Sequence, residues 1–183
     1  MNDNQQDEIH VTEHIYLSPA TTDYAKALYH IIDSNRVFFS QFMAWPKFVK
    51  CESDTANFLA DCFVKHQRDQ TKTYVILHNN LSVGLLSFNY IDKNNKTAYL
   101  GYWLDSKAQG RGVMTQAIQA LTHYYAAKKR IKRFVIKCSV TNLKSNQVAK
   151  RCGFDYEGTL KQAEYLNDAF YDQNIYSLIS NYI

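Results

Sequence analysis

The sequence predicts a mixed α/β fold, a single mixed antiparallel/parallel sheet flanked by helices. Two observations predict it. Stretches with an apolar period of two alternate with stretches of period 3.6, in the order β-α-α-β-β-β-α-β-α-β-β. Short connections join the early strands, as antiparallel neighbours need, and a late strand–helix–strand unit requires its two strands to run parallel. The 183 residues hold no repeat, low-complexity run or Pro/Gly/Ser linker. That length suits one domain spanning 1–183 with a sizeable core.

Each element has a local reason. Ile9, Val11, Ile15 and Leu17 alternate, which predicts a first strand over 9–17. Thr21 or Thr22 then offers a cap for a helix with Tyr24, Leu28, Ile31 and Ile32 on one side. An aromatic stretch follows: Phe38, Phe39, Phe42, Met43, Trp45 and Phe48. A second helix is expected after Ser53, carrying Ala56, Leu59, Phe63 and Val64. Strands at 73–77 and 83–90 flank Asn79-Asn80, a pair that tolerates positive φ and suits a tight hairpin. A strand at 97–104 leads into a helix from about 112 to 127, where Val113, Ala117, Ala120, Leu121 and Tyr124 repeat with helical spacing. A strand at 134–138 and a helix at 142–152 come next, the helix ended by Gly153 at its C′ position. Two further strands fill the tail, broken near Asn167-Asp168.

Composition narrows the function. At 46% hydrophobic and 21% charged, the balance is that of an ordinary soluble globular protein. The polar start lacks a basic region followed by an apolar run, and no apolar segment is long enough to cross a bilayer. The expected location is cytoplasmic, with no membrane partner. A net charge of +4 is modest for a nucleic-acid binder, and no nucleic-acid partner is expected. The basic run Lys128-Lys129-Arg130 and Lys132-Arg133 sits where a helix ends, and cations there complement the helix dipole. The four cysteines, Cys51, Cys62, Cys138 and Cys152, show neither C-x-x-C nor zinc-ligand spacing. Reduced thiols and no metal are the expectation.

The chemistry concentrates between 102 and 114. A strand there runs into a loop with Gly110 and Gly112 and then into a helix start. Amides at a helix start are unpaired and the dipole favours anions, while glycine lets the backbone approach a phosphate closely. A phosphate or pyrophosphate ligand is therefore expected. A P-loop requires Gly-Lys, which is absent, and a Rossmann fingerprint requires a third glycine where Thr115 stands. A Gly-x-Gly turn also occurs without any ligand, so this segment alone does not decide.

Gln109-Gly110-Arg111-Gly112-Val113 resembles the pyrophosphate-binding motif Q/R-x-x-G-x-G/A of the GCN5-related N-acetyltransferases, the GNAT family. Asn142-x-x-Ser145 followed by Gly153-Phe154 resembles that family's signature on the next helix. The chain departs from the pattern at Met114, where the motif has Gly or Ala, and at Ala149, where many members carry a tyrosine that protonates the departing thiolate. From about residue 10 onward the chain is similar to the branch that acetylates the N-terminal serine of the ribosomal stalk protein. Arg133-Phe134-Val135-Ile136-Lys137-Cys138 and Gln162-Ala163-Glu164-Tyr165-Leu166-Asn167 carry most of that likeness.

The resemblance implies a set of expectations. The two central parallel strands should splay, and acetyl-CoA should be the co-substrate, with no metal. Its contacts should come from Trp103, Leu104, Gln109, Gly110, Arg111, Gly112, Val113, Met114, Thr115 and Asn142. Glu164 is the implied base. Ser145 is implied to hydrogen-bond or protonate the thiolate, although serine and asparagine also cap helices. The acceptor should be the ribosomal stalk protein, and a homodimer is possible. A small amine such as a polyamine, amino sugar or antibiotic stays open as acceptor, and so does a coenzyme A-binding protein without catalysis. An α-amine has pKa about 7.7–8.0, so roughly a tenth is neutral at pH 7 and a carboxylate base suffices, directly or through water. Cys138 reads as a small core residue, and the 38–48 aromatic stretch as core that also borders the acceptor site.

Overall fold

The computed structural model describes residues 8–181, so the polar start at 1–7 lies outside the described residues. In chain order the strands are β1 (Ile9–His10), β2 (Ile15–Pro19), β3 (Lys72–His78), β4 (Leu81–Asp92), β5 (Thr97–Leu104), β6 (Arg133–Ser139), β7 (Asp155–Leu166) and β8 (Ala169–Ile179). The helices are α1 (Ala25–Ser34), α2 (Arg36–Phe39), α3 (Glu52–Gln67), α4 (Val113–Ala127) and α5 (Leu143–Arg151). The strands form one sheet in the order β1-β2-β3-β4-β5-β6-β8-β7. β5 and β6, joined through α4, pair in parallel, and the other neighbours pair antiparallel.

Both faces of the sheet are covered. Tyr74, Ile76 and Phe88 pack with Leu121 of α4, while Val75, Leu77 and Leu85 pack with Leu28 of α1 and Leu59 of α3. β3 is therefore apolar and buried on consecutive residues, as a strand covered on both faces must be. Each fully buried leucine or isoleucine in these layers contributes about 1.5–3 kcal/mol. Asn79 and Asn80 adopt φ of 51° and 63° in the β3–β4 turn, the conformation that their side chains tolerate.

Three sequence expectations are corrected. The strand expected over 9–17 is two strands folded on each other, with Ile9 opposite Leu17. The Thr12 hydroxyl accepts from the amides of His14 and Ile15, which turns the chain. Neither Thr21 nor Thr22 caps α1: a 3₁₀ turn over Thr22–Tyr24 precedes it, and the Thr21 hydroxyl donates to Asp23 instead. The buried stripe of α3 is Thr55, Leu59, Cys62 and His66, whereas Val64 is exposed. His66 enters this stripe because β3 offers it a partner: the Thr73 amide donates to His66 Nδ1 at 3.3 Å, while the buried Thr55 hydroxyl has no hydrogen-bond partner among the described residues.

The last three strands of the sheet, β6, β8 and β7, are tied by a charged fork. Arg133 on β6 donates through both terminal nitrogens to Glu157 on β7, and the Ser177 hydroxyl on β8 donates to the same carboxylate at 2.6 Å. These bonds hold the Glu157 carboxyl well below its usual range, at about 2, with burial opposing only weakly. The pair is about a third exposed, so solvent screening limits its contribution to about 1 kcal/mol. Because the folded pKa is depressed, that contribution is present above the ordinary pKa of 4.5 and is lost as pH falls towards 2. Glu157→Gln is expected to be less stable than the parent by about 1 kcal/mol at neutral pH. The gap should close in acid, as urea melts at several pH values would record.

Candidate active site

The cleft originates where the two parallel strands part. β5 and β6 pair only through Thr97, Ala98, Tyr99 and Leu100 against Arg133, Phe134, Val135 and Ile136. Beyond that point β5 continues along β4 and β6 continues along β8. Each strand keeps its outer partner and loses its inner one, so the inner edges lack a ladder. Side chains take up some of the carbonyls: Gln109 Nε2 donates to Leu104 and Asn146 Nδ2 to Ser139, at 3.2 and 3.0 Å. The rest of the β5 edge, through Trp103, faces a cleft of about 1740 Å³. Drug-sized ligands occupy on the order of 300–1,000 Å³, so this cleft accommodates a long ligand together with a second reactant.

One end of the cleft meets the start of α4. Gly110 and Gly112 both have φ of 76°, a left-handed conformation that lets the chain turn from the 3₁₀ segment at Ser106–Ala108 into the helix. A side chain at Gly110 would meet nothing within 4 Å, so φ rather than crowding is the reason for glycine there. The amides of Val113, Met114 and Thr115 lie in the first turn, where no intrahelical acceptor exists, and this is an anion site by geometry and dipole. Met114 is buried in the core, so its size does not obstruct the amides. Lys144 Nζ donates to Gln109 Oε1 at 2.8 Å across the mouth of the cleft and adds positive charge at this end.

At the other end, four groups converge from four elements, β5, β6, α5 and β7. Ser145, in the first turn of α5, has its hydroxyl 2.7 Å from the Tyr102 phenol of β5. The question of whether Ser145 caps α5 is answered by Asn142, whose side chain accepts from the Ser145 amide at 3.2 Å. The Ser145 hydroxyl is thereby left for other work. Burial pushes the Tyr102 phenol well above its usual pKa, with the Ser145 hydroxyl opposing. Burial likewise pushes the neighbouring Cys138 thiol of β6 up to about 11, the Ser145 hydroxyl lowering it and the Glu164 charge raising it. Glu164, half-buried, reaches the cleft from β7 just after a bulge between Leu160 and Glu164. Gln162, with φ of 49°, lies in that bulge, held by its amide donating to Asp172 at 2.9 Å. On the far face Trp103 stacks on Phe39 and Trp45, with ring centroids 5.3 and 6.0 Å away.

Every site residue expected from sequence lies on this cleft except Arg111, which is exposed outside it. Sequence reasoning gave no role to three residues that build the site. Asn146 is 7% exposed and uses both ends of its amide: it donates to the Ser139 and Asn142 carbonyls and accepts from Tyr176 and Asn174 at 2.7 Å. Asn35, at the end of α1, accepts from the Ser106 amide and donates to Asp105, fixing the loop after β5. Tyr102 is the third. Only the alternation of β5 hinted at its face, since Leu100 and Leu104 lie on the same side. Among the described residues no His, Cys, Asp and Glu group is arranged to hold a metal.

An open strand edge that ends on an anion-binding helix start suits an elongated donor with phosphates at one end and its reactive group at the other. The fold and cleft thus define a transferase. Residues 14–155 match the acetyltransferase (GNAT) domain, and the chain belongs to that family. It is similar to the ribosomal-protein-serine acetyltransferase of Escherichia coli, with 46% identity over 93% of this chain and 96% of that protein. Among solved structures it is similar to a RimL ribosomal L7/L12 alpha-N-protein acetyltransferase, determined in complex with coenzyme A and described with a coenzyme A–cysteine disulfide. That likeness has 42% identity, covers 94% of this chain and 98% of the other, and gives a TM-score of 0.92. It is also similar to the microcin C7 self-immunity acetyltransferase MccE, determined with acetyl-CoA and AMP, at 45% identity over 92% and 94% of the two chains and a TM-score of 0.90.

Removing the Asn146 side chain strands the Ser139 carbonyl and the Tyr176 hydroxyl in a dry environment. Asn146→Ala should lower unfolding free energy by about 2–4 kcal/mol, since each unsatisfied buried group costs about 1–3. Urea melts measure it, and a change under about 1 kcal/mol would mean the network is dispensable.

Proposed function

We propose that the chain transfers acetyl from acetyl-CoA to the N-terminal serine α-amine of the ribosomal stalk protein, working as one domain in the cytoplasm. The observation that carries the acceptor is the 46% identity, nearly end to end, with a ribosomal-protein-serine acetyltransferase. The cleft supports the donor. Its strand edge at Trp103 and Leu104 suits an extended amide-bearing arm, and the α4 amides with Gln109 and the two glycines suit a pyrophosphate. The donor supplies an activated thioester carbonyl. A coenzyme A–cysteine disulfide in the relative is compatible with a donor sulfur near a cleft-lining cysteine, and here Cys138 lines the cleft beside the Ser145 hydroxyl.

The neutral amine attacks the thioester carbonyl, and Glu164 takes one proton from that nitrogen as the new carbon–nitrogen bond forms, directly or through water. Its carboxylate is half-buried and open to the cleft, so it exchanges protons with solvent afterwards. The Ser145 hydroxyl donates a hydrogen bond to the sulfur as the carbon–sulfur bond breaks and charge gathers there. One proton leaves nitrogen and one arrives on sulfur, so the transfer is balanced without a covalent enzyme intermediate. A backbone N–H on the β5 edge stabilises the carbonyl oxygen.

The similarity to MccE favours a second reading, acetylation of a small amine. Intact mass spectrometry separates the two. The stalk protein with a free N-terminal serine should gain one acetyl group, the same protein with that serine blocked should gain none, and spermidine should stay unmodified. Acetylated spermidine with an unmodified stalk protein would transfer the assignment to the small-amine reading. Within the stalk reading, Glu164→Ala should cut kcat by about 10²-fold and Ser145→Ala by about tenfold. Coenzyme A affinity at neutral pH should stay within a few-fold, and an unchanged kcat in either variant would remove that residue from the mechanism.

A further inference from the structure

We propose that Tyr102 is a positioning residue whose phenol fixes the Ser145 hydroxyl with its proton turned towards the cleft. The inference rests on the reading that Ser145 serves the departing sulfur. It goes beyond that reading by explaining how a serine, which rotates freely about its side-chain bond, is held in one working orientation.

The geometry carries it. The Tyr102 oxygen has two neighbours within hydrogen-bond reach: the Ser145 hydroxyl at 2.7 Å and the Ser145 carbonyl at 3.4 Å. An O–H···O bond is normal at about 2.5–3.0 Å and weak beyond it. The phenol proton therefore goes to Ser145 Oγ, since the carbonyl is too distant for a good bond. If the serine donated to the phenol instead, the phenol proton would have, among the described protein groups, only the poor carbonyl acceptor. A buried donor without a partner costs about as much as a lost hydrogen bond. With the phenol donating, Ser145 Oγ has its own proton to spare. The adjacent Cys138 thiol and the cleft are what that proton faces.

The rest of the surroundings keep the arrangement in register. The Ser145 hydroxyl is not needed as a cap, because Asn142 accepts from the Ser145 amide and the Asn142 amide already donates to the Ser139 carbonyl. Ala149, one turn on and on the same side of α5, is fully buried and carries no competing group. Tyr102 lies on β5 and Ser145 on α5, so this bond also ties the strand to the helix. Burial raises the phenol pKa and keeps it protonated throughout the working range, so Tyr102 gives up no proton itself. It is a fixed donor.

The test is a double-mutant cycle with Tyr102→Phe and Ser145→Ala, read by single-turnover rate, KM and melting temperature. Tyr102→Phe should lower the single-turnover rate about tenfold, equivalent to about 1.4 kcal/mol, with both KM values within about twofold. Adding it to Ser145→Ala should cost little more, because the two act through one bond. A second readout needs no turnover: the affinity for coenzyme A as a function of pH. In the parent, a donor aimed at the sulfur favours the thiolate, so binding should tighten by several-fold as pH rises through the thiol's ionisation. Both single variants should lose that tightening. Multiplicative rate losses, or parallel affinity curves in the parent and Tyr102→Phe, would overturn the proposal. An effect of Tyr102→Phe with none of Ser145→Ala would also overturn it, and would overturn the serine reading as well. A tenfold effect of Ser145→Ala with a silent Tyr102→Phe would overturn the positioning role alone.

Discussion

The site depends on a broken ladder. Parallel strands ordinarily stay paired because their buried amides and carbonyls have nowhere else to go. Here β5 and β6 separate after Leu100 and Ile136, and the unpaired edges must be reconciled with a closed core. The outer partners make this possible. β4 pairs with β5 as far as Leu104, and β8 pairs with β6 as far as Ser139, so each strand stays straight after losing its inner neighbour. The opening is then a property of the sheet rather than of a loop. A donor lying in it replaces a missing strand, and the glycine turn that ends β5 delivers the α4 amides to the same line.

A gap of this kind tends to close unless something wedges it. α5 is the wedge, and Asn146 fastens it. Its amide spends donors on β6 and on its own helix and accepts from β8, so three elements lock through a single side chain. The residue before it, Ser145, inherits a fixed position. The one after Asn142's cap and before Asn146's anchor has little freedom left except rotation of its own hydroxyl, and the Tyr102 phenol removes that. Positioning thus passes from the sheet to the helix and then to a proton.

Much of this was legible from sequence, and the exceptions have physical reasons. The β5, α4 and β6 succession was readable because periodicity is local, and Asn79-Asn80 because positive φ restricts residue choice. The Ile9–Leu17 stretch was read as one strand because alternation registers which face a side chain takes and not whether the chain reverses; Thr12 decided that with one hydroxyl. The α3 stripe was misread through hydrophobicity alone. His66 and Thr55 are buried there, His66 because β3 supplies a backbone partner, and no helical periodicity records a partner on another strand. Asn146, Asn35 and Tyr102 share this cause. Tyr102 and Ser145 are 43 positions apart, and only the splay brings them together. Glu164 and Ser145 were named through family likeness; strand parity alone would not have placed Glu164, because the bulge before it shifts the register.

In the proposed mechanism the two proton-handling groups, Glu164 and Ser145, are supported unequally, and the inequality fits an α-amine acceptor. About a tenth of such an amine is neutral at pH 7, against on the order of a thousandth or less for a lysine side chain. The difference is roughly a hundredfold in reactive species, or about 2.7 kcal/mol of barrier that the base is not asked to supply. On the proposed reading, a half-buried carboxylate on a bulged hairpin is enough for that modest demand. The sulfur side has no such relief. Charge must gather on one atom in a site lined by Trp103, Met114 and the α4–β6 core, where an uncompensated anion is costly. There, on the proposed reading, the fold uses two partly buried hydroxyls, from β5 and α5, that bond to each other. Strong preorganisation at the leaving group with light assistance at the nucleophile describes an enzyme matched to an amine that arrives nearly ready to react.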